Sequence, residues 1–226
     1  KLEKMREEWI ANISHDLKTP LSSIRGYMEL MLDAEEQLTP EERNKFSKII
    51  MEKSDYMEIL LEDLKLTQKL KNDLIPLNKG EVNIVELLRE VVINILNDPK
   101  NEDARILFEP HCESVTMAVD SILMQRALTN ILCNAIIHNP KDTTIWVRVM
   151  DKNGVGIVIE DNGRGIRRDD MENLFDRYYR GTNTDESCEG SGLGLAISKQ
   201  IIEAHGGEIK LESEMGEGTR VEIMFG

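Results

Sequence analysis

Apolar residues recur every three or four positions over residues 1–33, which is the spacing of one face of an α-helix. This first stripe consists of Met5, Trp9, Ile13, Leu17, Leu21, Ile24, Met28 and Met31. A second stripe follows Pro40, a residue suited to the first turn of a helix, and contains Phe46, Ile50, Met57, Leu61 and Leu64. Because only residues 34–39 separate the two patterns, we predict antiparallel neighbours that form a helical hairpin.

A hairpin of two helices buries one seam and leaves little core. Two such hairpins close into a four-helix bundle, so the economical prediction is a homodimer formed through residues 1–72. The alternative is a hairpin that packs on the second domain of its own chain.

The composition changes near residues 72–80. Gly26 is the only glycine before this stretch, and every other glycine follows Lys79. A chain of 226 residues has room for two modest domains, and we predict them at residues 1–72 and 73–226. The predicted fold class is α+β, with the helical hairpin followed by an α/β sandwich that has a mixed sheet and helices on one face.

Within the second domain, helices are expected to start at Asn83 and Asp120, because both are N-cap residues that precede apolar periodicity. Residues 151–154 predict a hairpin turn. Residues 176–190 are polar and lack periodicity, which we interpret as a mobile lid. Strands are predicted at residues 105–109, 115–119, 143–150, 155–160, 208–213 and 219–225.

The net charge of −14 is spread over both domains. It argues against a nucleic-acid partner, because no basic stripe is present to contact phosphates. The three cysteines (Cys112, Cys133 and Cys188) are odd in number and lack ligand spacing, which argues against disulfides or zinc and for a reducing compartment.

No apolar run approaches the roughly 20 residues that span a bilayer, and no signal peptide is present, so the sequence predicts a soluble chain. The sequence starts inside a helical pattern without an initiator Met. We therefore expect it to be the cytoplasmic end of a longer protein, attached to a membrane only through a preceding sensor region.

His15 is the first candidate for chemistry. At about 100° per residue it falls nearly opposite the apolar seam of its helix, so we expect it to be exposed. Asp16 can accept a hydrogen bond from one ring nitrogen, which leaves the nucleophilic lone pair on the other. Thr19 lies one turn further on the same face and can orient a water, and Pro20 should bend the helix. These neighbours favour a reactive group over the alternative of an ordinary surface histidine.

Asn130 and Asn134 lie on one helix face and offer amide oxygens of the kind that Mg²⁺ accepts, although capping or core amides are the alternative. Asp161 precedes Gly163 and Gly165, glycines that let the backbone approach a ligand closely. A buried carboxylate there can accept the exocyclic amine of adenine. An aspartate followed by two glycines at this spacing is also common in turns. Neither the asparagine pair nor this segment therefore identifies a nucleotide site alone.

Residues 190–195 open a helix that is predicted to run to about His205, and amide groups at a helix start bind phosphate. The segment is not a Walker loop, because no Lys-Ser/Thr pair follows, and it lacks the preceding strand of a dinucleotide fingerprint. Residues 216–219 supply one more close-approach turn. Together with His15, these segments predict phosphoryl transfer from a nucleotide to a histidine.

These segments resemble the sensor histidine kinases of bacterial two-component systems, which carry a GHKL-type ATP-binding domain. Residues 14–20 look like the H box of that family, 130–134 the N box, 161–166 the G1 box, 174–180 the F box and 190–195 the G2 box. The resemblance covers essentially the whole chain. It implies a dimeric helical-hairpin domain followed by an ATP-binding sandwich.

The resemblance also implies a role for each matching residue. His15 would be the phosphoacceptor, Asp16 its acid/base partner, and Thr19 the residue used to dephosphorylate a response regulator. Asn134 would hold Mg²⁺, and Arg177 or Arg180 the γ-phosphate. The residues expected to bind ATP are Asn130, Asn134, His138, Asp161 (which would hold the adenine), Gly163, Gly165, Ile166, Arg177, Tyr178, Arg180, Gly190, Gly192, Leu193, Gly194, Leu195 and Thr219.

One position departs from the family pattern. Three residues after Asn134 the family often has a lysine near the phosphates, whereas this chain has Ile137, followed by His138 where an aromatic residue is usual. Lys141 is the alternative cation.

Three hypotheses follow from these motifs. The first is an ATP-dependent histidine kinase that passes phosphate to an aspartate of a response regulator and also dephosphorylates that regulator. The second is a scaffold that binds ATP as a conformational switch, and the third is an ATPase in which His15 is idle.

Overall fold

The computed structural model describes residues 2–33, 38–71, 76–151, 154–171, 174–175 and 193–226. These residues fall into two compact units, Lys1–Leu66 and Thr67–Gly226. The predicted lid at residues 176–190 lies outside the described residues, as does the centre of the predicted turn, Lys152 and Asn153. The predicted domain boundary after residue 72 stays a prediction.

Helices α1 (Leu2–Asp33) and α2 (Pro40–Lys71) confirm the predicted hairpin. The Tyr27 ring of α1 lies with its centroid 5.3 Å from that of Phe46 on α2. Each ring is six residues from the helix end nearest the connection, as expected for antiparallel helices.

The start of α2 is a capping box that the sequence reasoning missed. The backbone N–H of Thr39 donates to the Glu42 carboxylate at 2.9 Å, and the Glu42 N–H donates back to Thr39 Oγ1 at 3.2 Å. Hydrogen bonds from the Thr39 backbone and hydroxyl lower the pKa of Glu42. The box satisfies two helix-end groups, so α2 begins at a defined residue.

The second unit contains a two-stranded sheet and a five-stranded mixed sheet. The small sheet pairs β1 with β3, and the large one has the order β2-β4-β5-β7-β6. The β2–β4 pair is parallel and the other pairs are antiparallel. The strands are β1 (Gly80–Asn83), β2 (Arg105–Phe108), β3 (Thr116–Val119), β4 (Thr144–Asp151), β5 (Val155–Asp161), β6 (Gly207–Glu214) and β7 (Gly218–Phe225).

One face of the large sheet is buried under helices. Val147, Ile159 and Val221 lie opposite one another on β4, β5 and β7, and all belong to the core. Leu88 and Leu128 contribute to the same core from two of the helices, so the sheet and the helices share one apolar layer. The helices of this unit are α3 (Ile84–Asn97), α4 (Ser121–Ile137), the short α5 (Arg168–Met171) and α6 (Gly194–Ala204), and a 3₁₀ turn spans Pro99–Asn101.

The predicted helix starts at Asn83 and Asp120 are confirmed. Asn83 Oδ1 accepts from the N–H of Val85 at 3.1 Å, and Asp120 Oδ1 accepts from Leu123 at 3.2 Å. Glu86, three residues after Asn83 and thus at the capping-box position, pairs with the Arg89 guanidinium instead.

All six predicted strands are present in the described chain, whereas β1 and α5 were missed. Both missed elements span four residues, which is too short for a periodic pattern to show. Among the described residues, no helix combines the length and apolar character needed to cross a membrane.

Candidate active site

His15 lies on α1 with 77% of its side chain exposed, as its position opposite the apolar seam predicts. Its Nδ1 is 3.6 Å from Asp16 Oδ1, which is longer than a hydrogen bond. The predicted hydrogen bond is therefore replaced by a close electrostatic contact. The carboxylate still favours a proton on Nδ1, and that tautomer leaves the lone pair on Nε2.

Thr19 is tied to the same turn of α1. Its hydroxyl donates to the backbone carbonyl of His15 at 3.1 Å. The single hydroxyl hydrogen is used in this bond, so the oxygen remains an acceptor toward water. The helix continues through Pro20 to Asp33, and the predicted bend at Pro20 stays a prediction.

Asp161 ends β5 with only 6% of its surface exposed. Its Oδ1 accepts from the N–H of Gly163 at 2.9 Å, and the Thr219 backbone and the Asn139 amide also donate to the carboxylate. Burial raises the pKa of Asp161 despite these three hydrogen bonds. The result is a buried acceptor whose position is fixed by two backbone groups and the Asn139 amide.

Asn139 is a site residue that the sequence reasoning missed. Its Nδ2 donates to the carbonyl of Ala135 on α4 at 2.9 Å, and its Oδ1 accepts from the N–H of Arg164 at 3.0 Å. A Cβ added to Gly163 would lie 2.0 Å from that Oδ1, so any larger residue there would displace the Asn139 side chain. Asn139 thus connects the end of α4 to the loop after Asp161, and its place just after the N-box helix is the one signal in the sequence.

Ser213 is a second missed residue. Its Oγ accepts from the N–H of Ile166 at 2.8 Å, donates to the carbonyl of Gly218 at 2.7 Å, and lies 2.9 Å from Thr219 Oγ1. Gly165 has φ +68°, and a Cβ there would lie 2.0 Å from the Glu214 carbonyl oxygen. The loop after Asp161 is therefore fixed to the β6–β7 hairpin.

The N-box helix and the start of α6 meet at Asn130. Its Nδ2 donates to the carbonyl oxygen of Gly194 at 3.4 Å. Asn134 lies one turn further along α4, half-buried, and its side-chain amide has no hydrogen bond among the described residues. Leu193 is buried and Leu195 packs against the core, so both leucines anchor the start of α6.

The first turn of α6 has no side-chain cap within the described chain. Amide N–H groups at such a helix start are available to an anionic ligand.

Ile137 is the last residue of α4 and is 49% exposed. His138 follows it, and its Nδ1 is buried without a hydrogen-bond partner in the described part of the chain. Burial, and then the charge of Arg164, lower the pKa of His138, which keeps the ring neutral at pH 7. Lys141, the alternative cation for the phosphates, pairs with Asp103 at 2.7 Å on the surface, and its role at the phosphates stays a prediction.

The structure therefore brings Asp161, Gly163, Ile166 and Thr219 into one hydrogen-bonded cluster, with Gly165 in the same loop, and joins Asn130 to Gly194. Asn134, His138, Leu193 and Leu195 are described but belong to neither group. The other five predicted ATP-binding residues lie outside the described residues: Arg177, Tyr178, Arg180, Gly190 and Gly192. The binding roles of all these residues stay predictions.

Two family models match the chain. The His Kinase A (phospho-acceptor) domain matches residues 5–73, and the histidine kinase-, DNA gyrase B- and HSP90-like ATPase matches residues 119–226. The sensor histidine kinase YvrG of Bacillus subtilis is 41% identical over 226 residues, which are all of this chain and 39% of the relative. The chain thus spans about two-fifths of the length of that curated relative.

Solved structures show the same fold. The Acinetobacter baumannii histidine kinase AdeS superposes with a TM-score of 0.75 at 21% identity, covering 93% of this chain and 96% of that one. The histidine kinase ThkA, in complex with the response regulator protein TrrA, superposes with a TM-score of 0.71 at 22% identity, covering 96% and 60% of the two chains.

Proposed function

Because the chain belongs to the two-component sensor histidine kinases, we propose that it transfers the γ-phosphoryl group of ATP to His15 and passes it to an aspartate of a response regulator. The observation that carries the proposal is the presence, on one chain, of an exposed imidazole beside a carboxylate and a buried acceptor framed by glycines. A surface histidine without a chemical role would not require a neighbouring carboxylate. A loop that serves only as a turn would not require a buried acceptor framed by glycines.

The residues of the second unit fit an adenine nucleotide. The Asp161 carboxylate can accept a hydrogen bond from the exocyclic amine of adenine. Because Gly163 has no side chain, the backbone of its loop stays close to that carboxylate. The first amides of α6, beginning at Gly194, would face the phosphates, with Arg177 or Arg180 at the γ-phosphate.

The Asn134 amide would hold Mg²⁺, because it is half-buried and its oxygen has no protein hydrogen bond in the described chain. When bound, Mg²⁺ supplies positive charge that stabilises the phosphoryl group during transfer.

His15 Nε2 is the proposed nucleophile. A bond forms between Nε2 and the γ-phosphorus as the bond from phosphorus to the bridging oxygen breaks, and the electron pair leaves with ADP. The carboxylate of Asp16, 3.6 Å from Nδ1 in this structure, closes to hydrogen-bond distance and takes the Nδ1 proton, so the product is a neutral-ring phosphoramidate. The chain's contribution is positioning and electrostatic stabilisation.

The proposed partners are a second copy of the chain and a receiver domain. Apolar side chains remain exposed on both helices of the hairpin, which supports a four-helix bundle between two copies. These include Leu21, Met28 and Leu32 on α1, and Met51 and Ile59 on α2. The ThkA–TrrA complex supports a response regulator as the acceptor. A cytoplasmic location for this part of the protein follows from the proposed use of ATP.

Incubation of the chain with Mg²⁺ and γ-labelled ATP tests the proposed function. A label that is lost in acid and retained in base is expected, as for a phosphoramidate. Nucleotide binding without label would support the scaffold hypothesis instead. Release of inorganic phosphate without label on the protein would support the ATPase hypothesis.

Thr19→Ala should leave labelling of His15 unchanged and slow the removal of phosphate from the response regulator. The hydroxyl lies one turn from the phosphoacceptor and can accept a hydrogen bond from the attacking water. The measurement compares label on the chain with label remaining on the regulator over time. Ser23→Ala, which removes a similar hydroxyl one turn further along α1, is the control and should change neither. If Thr19→Ala removes the label from His15, Thr19 belongs to the kinase step.

Ile137→Lys should leave the labelling rate equal or raise it by up to about tenfold. A charged hydrogen bond to phosphate is typically worth about 1.5–3 kcal/mol, but several other groups already contact the phosphates in our proposal. The exposed end of α4 accepts the longer side chain without loss of packing. A native chain that binds ATP but stays unlabelled for hours, while Ile137→Lys labels readily, would favour the scaffold.

A further inference from the structure

Helices α4 and α6 are joined by a series of hydrogen bonds that runs along their whole contact. At one end, the backbone N–H of Asp120 donates to His205 Nε2 at 3.0 Å. In the middle, the Ser198 hydroxyl donates to the carbonyl of Ala127 at 3.1 Å. At the other end, Asn130 reaches Gly194 at 3.4 Å. We call this series the α4–α6 ladder.

The three contacts of the ladder have matching spacing on both helices. From Asp120 to Ala127 and from His205 to Ser198 the step is seven residues each, or about 10 Å along a helix axis. The next step, to Asn130 and Gly194, is three residues on α4 and four on α6, which is close to one turn on each helix. Two antiparallel helices with these contacts have a single longitudinal register.

His205 is built into the ladder at both ring nitrogens. Because Nε2 accepts a backbone N–H, the ring proton must be on Nδ1, which donates to the carbonyl of Ile201 at 2.7 Å. The side chain is 8% exposed. Its partner Asp120 is itself held, since its carboxylate accepts from Leu123 and from the N–H of Asn78.

Ser198 is fully buried, and its one hydroxyl hydrogen is shared between the carbonyl of Ala127 and that of Gly194, 2.9 Å away. The same Gly194 carbonyl accepts from Asn130. The middle contact of the ladder is therefore directly connected to the place where the N-box helix meets the start of α6.

We propose that His205 and Ser198 are positioning residues that set the register of α4 against α6 and thereby place Asn130 against the start of α6, with Asn134 one turn further along α4. This inference rests on the proposed nucleotide site. His205 lies eleven residues from Gly194, about 16 Å along the helix, so it acts through the helices and not by touching a nucleotide.

The test uses two variants of His205 that separate its two hydrogen bonds. His205→Gln places an acceptor near the position of Nε2 and keeps the bond from Asp120, whereas His205→Asn places its amide near Nδ1 and loses that bond. Ser198→Ala removes the middle contact with little change of volume. His111→Asn, at an exposed histidine in the same unit, is the matched control.

Two measurements are made on each folded chain: the Kd for Mg²⁺-ADP, at a temperature well below the melting transition of every variant, and the backbone NMR shifts of residues 130 and 194 without nucleotide. His205→Asn and Ser198→Ala should weaken binding roughly tenfold and move both shifts. His205→Gln should stay within about twofold of the native Kd, and His111→Asn should match the native chain.

A purely structural role predicts a lower melting temperature for His205→Asn with native Kd and native shifts, and that result would overturn the proposal. If the native chain binds no nucleotide, the proposed function fails. The NMR shifts of the nucleotide-free chain then test separately whether the ladder sets the register of α4 against α6. Unchanged shifts at residues 130 and 194 in both His205→Asn and Ser198→Ala would show that the ladder does not set the register. If His205→Asn does not fold, Ser198→Ala carries the same comparison.

Discussion

His15→Gln should lose all acid-labile phosphoryl label while binding Mg²⁺-ATP with the native Kd. Glutamine has similar length, but the lone pair of its amide nitrogen is delocalised and does not attack phosphorus. Because 77% of the His15 side chain is exposed, the substitution should change the free energy of unfolding by no more than about 0.5 kcal/mol. Loss of label can then be assigned to chemistry and not to unfolding.

The measurement combines autoradiography after acid and base treatment with a binding titration on the same preparation. His111→Gln, at an exposed histidine of the second unit, is the control and should label at the native rate. Label that persists in His15→Gln, with the same acid lability, would place the phosphoacceptor at another histidine.

Asp161→Asn should weaken ADP binding on the order of 100-fold and remove the preference for ADP over GDP. The carboxylate accepts from Gly163, Thr219 and Asn139, and its two oxygens offer about four acceptor positions, which leaves one for the exocyclic amine of adenine. In the variant, an NH₂ group would meet that amine, so two donors would face each other in a buried site. Guanine presents an acceptor at the same position of the ring and should lose much less.

Titrations of ADP and GDP into both proteins measure this directly. Equal losses for the two nucleotides would show that Asp161 supports the loop in general and does not read the base.

The same variant has a defined effect on stability. Burial raises the pKa of Asp161 above that of the carboxyl in the unfolded chain. Between the two pKa values the folded chain binds more protons, so the contribution of Asp161 to stability is present at low pH and is lost as pH rises through its folded pKa. Asparagine does not titrate. The stability of Asp161→Asn relative to the native chain should therefore rise with pH across this window.

Urea unfolding of both chains at several pH values tests the sign. A variant that becomes progressively less stable than the native chain as pH rises would show that the ionised carboxylate is the form that the fold stabilises.

Local chemistry was enough to predict much of this fold. The helix stripes of residues 1–33, the caps at Asn83 and Asp120, and the six strands depend on neighbours within a few positions, and these patterns are visible in sequence. The exposure of His15 follows from the same periodicity. The capping box of Thr39 and Glu42 is equally local, so it could have been predicted from the sequence in the same way.

The tertiary structure alone decided which distant groups meet. Ser213 bonds to Ile166, 47 positions away, and His205 to Asp120, 85 positions away, and no periodicity encodes such pairs. The ion pair of Lys141 with Asp103 is a third example, because only the folded chain places the two side chains next to each other.

Residue type and short-range spacing thus define the helices and strands and the chemical groups available to a site. The framework that holds Asp161 and joins Asn130 to Gly194 depends on long-range register, which arises only when the core packs.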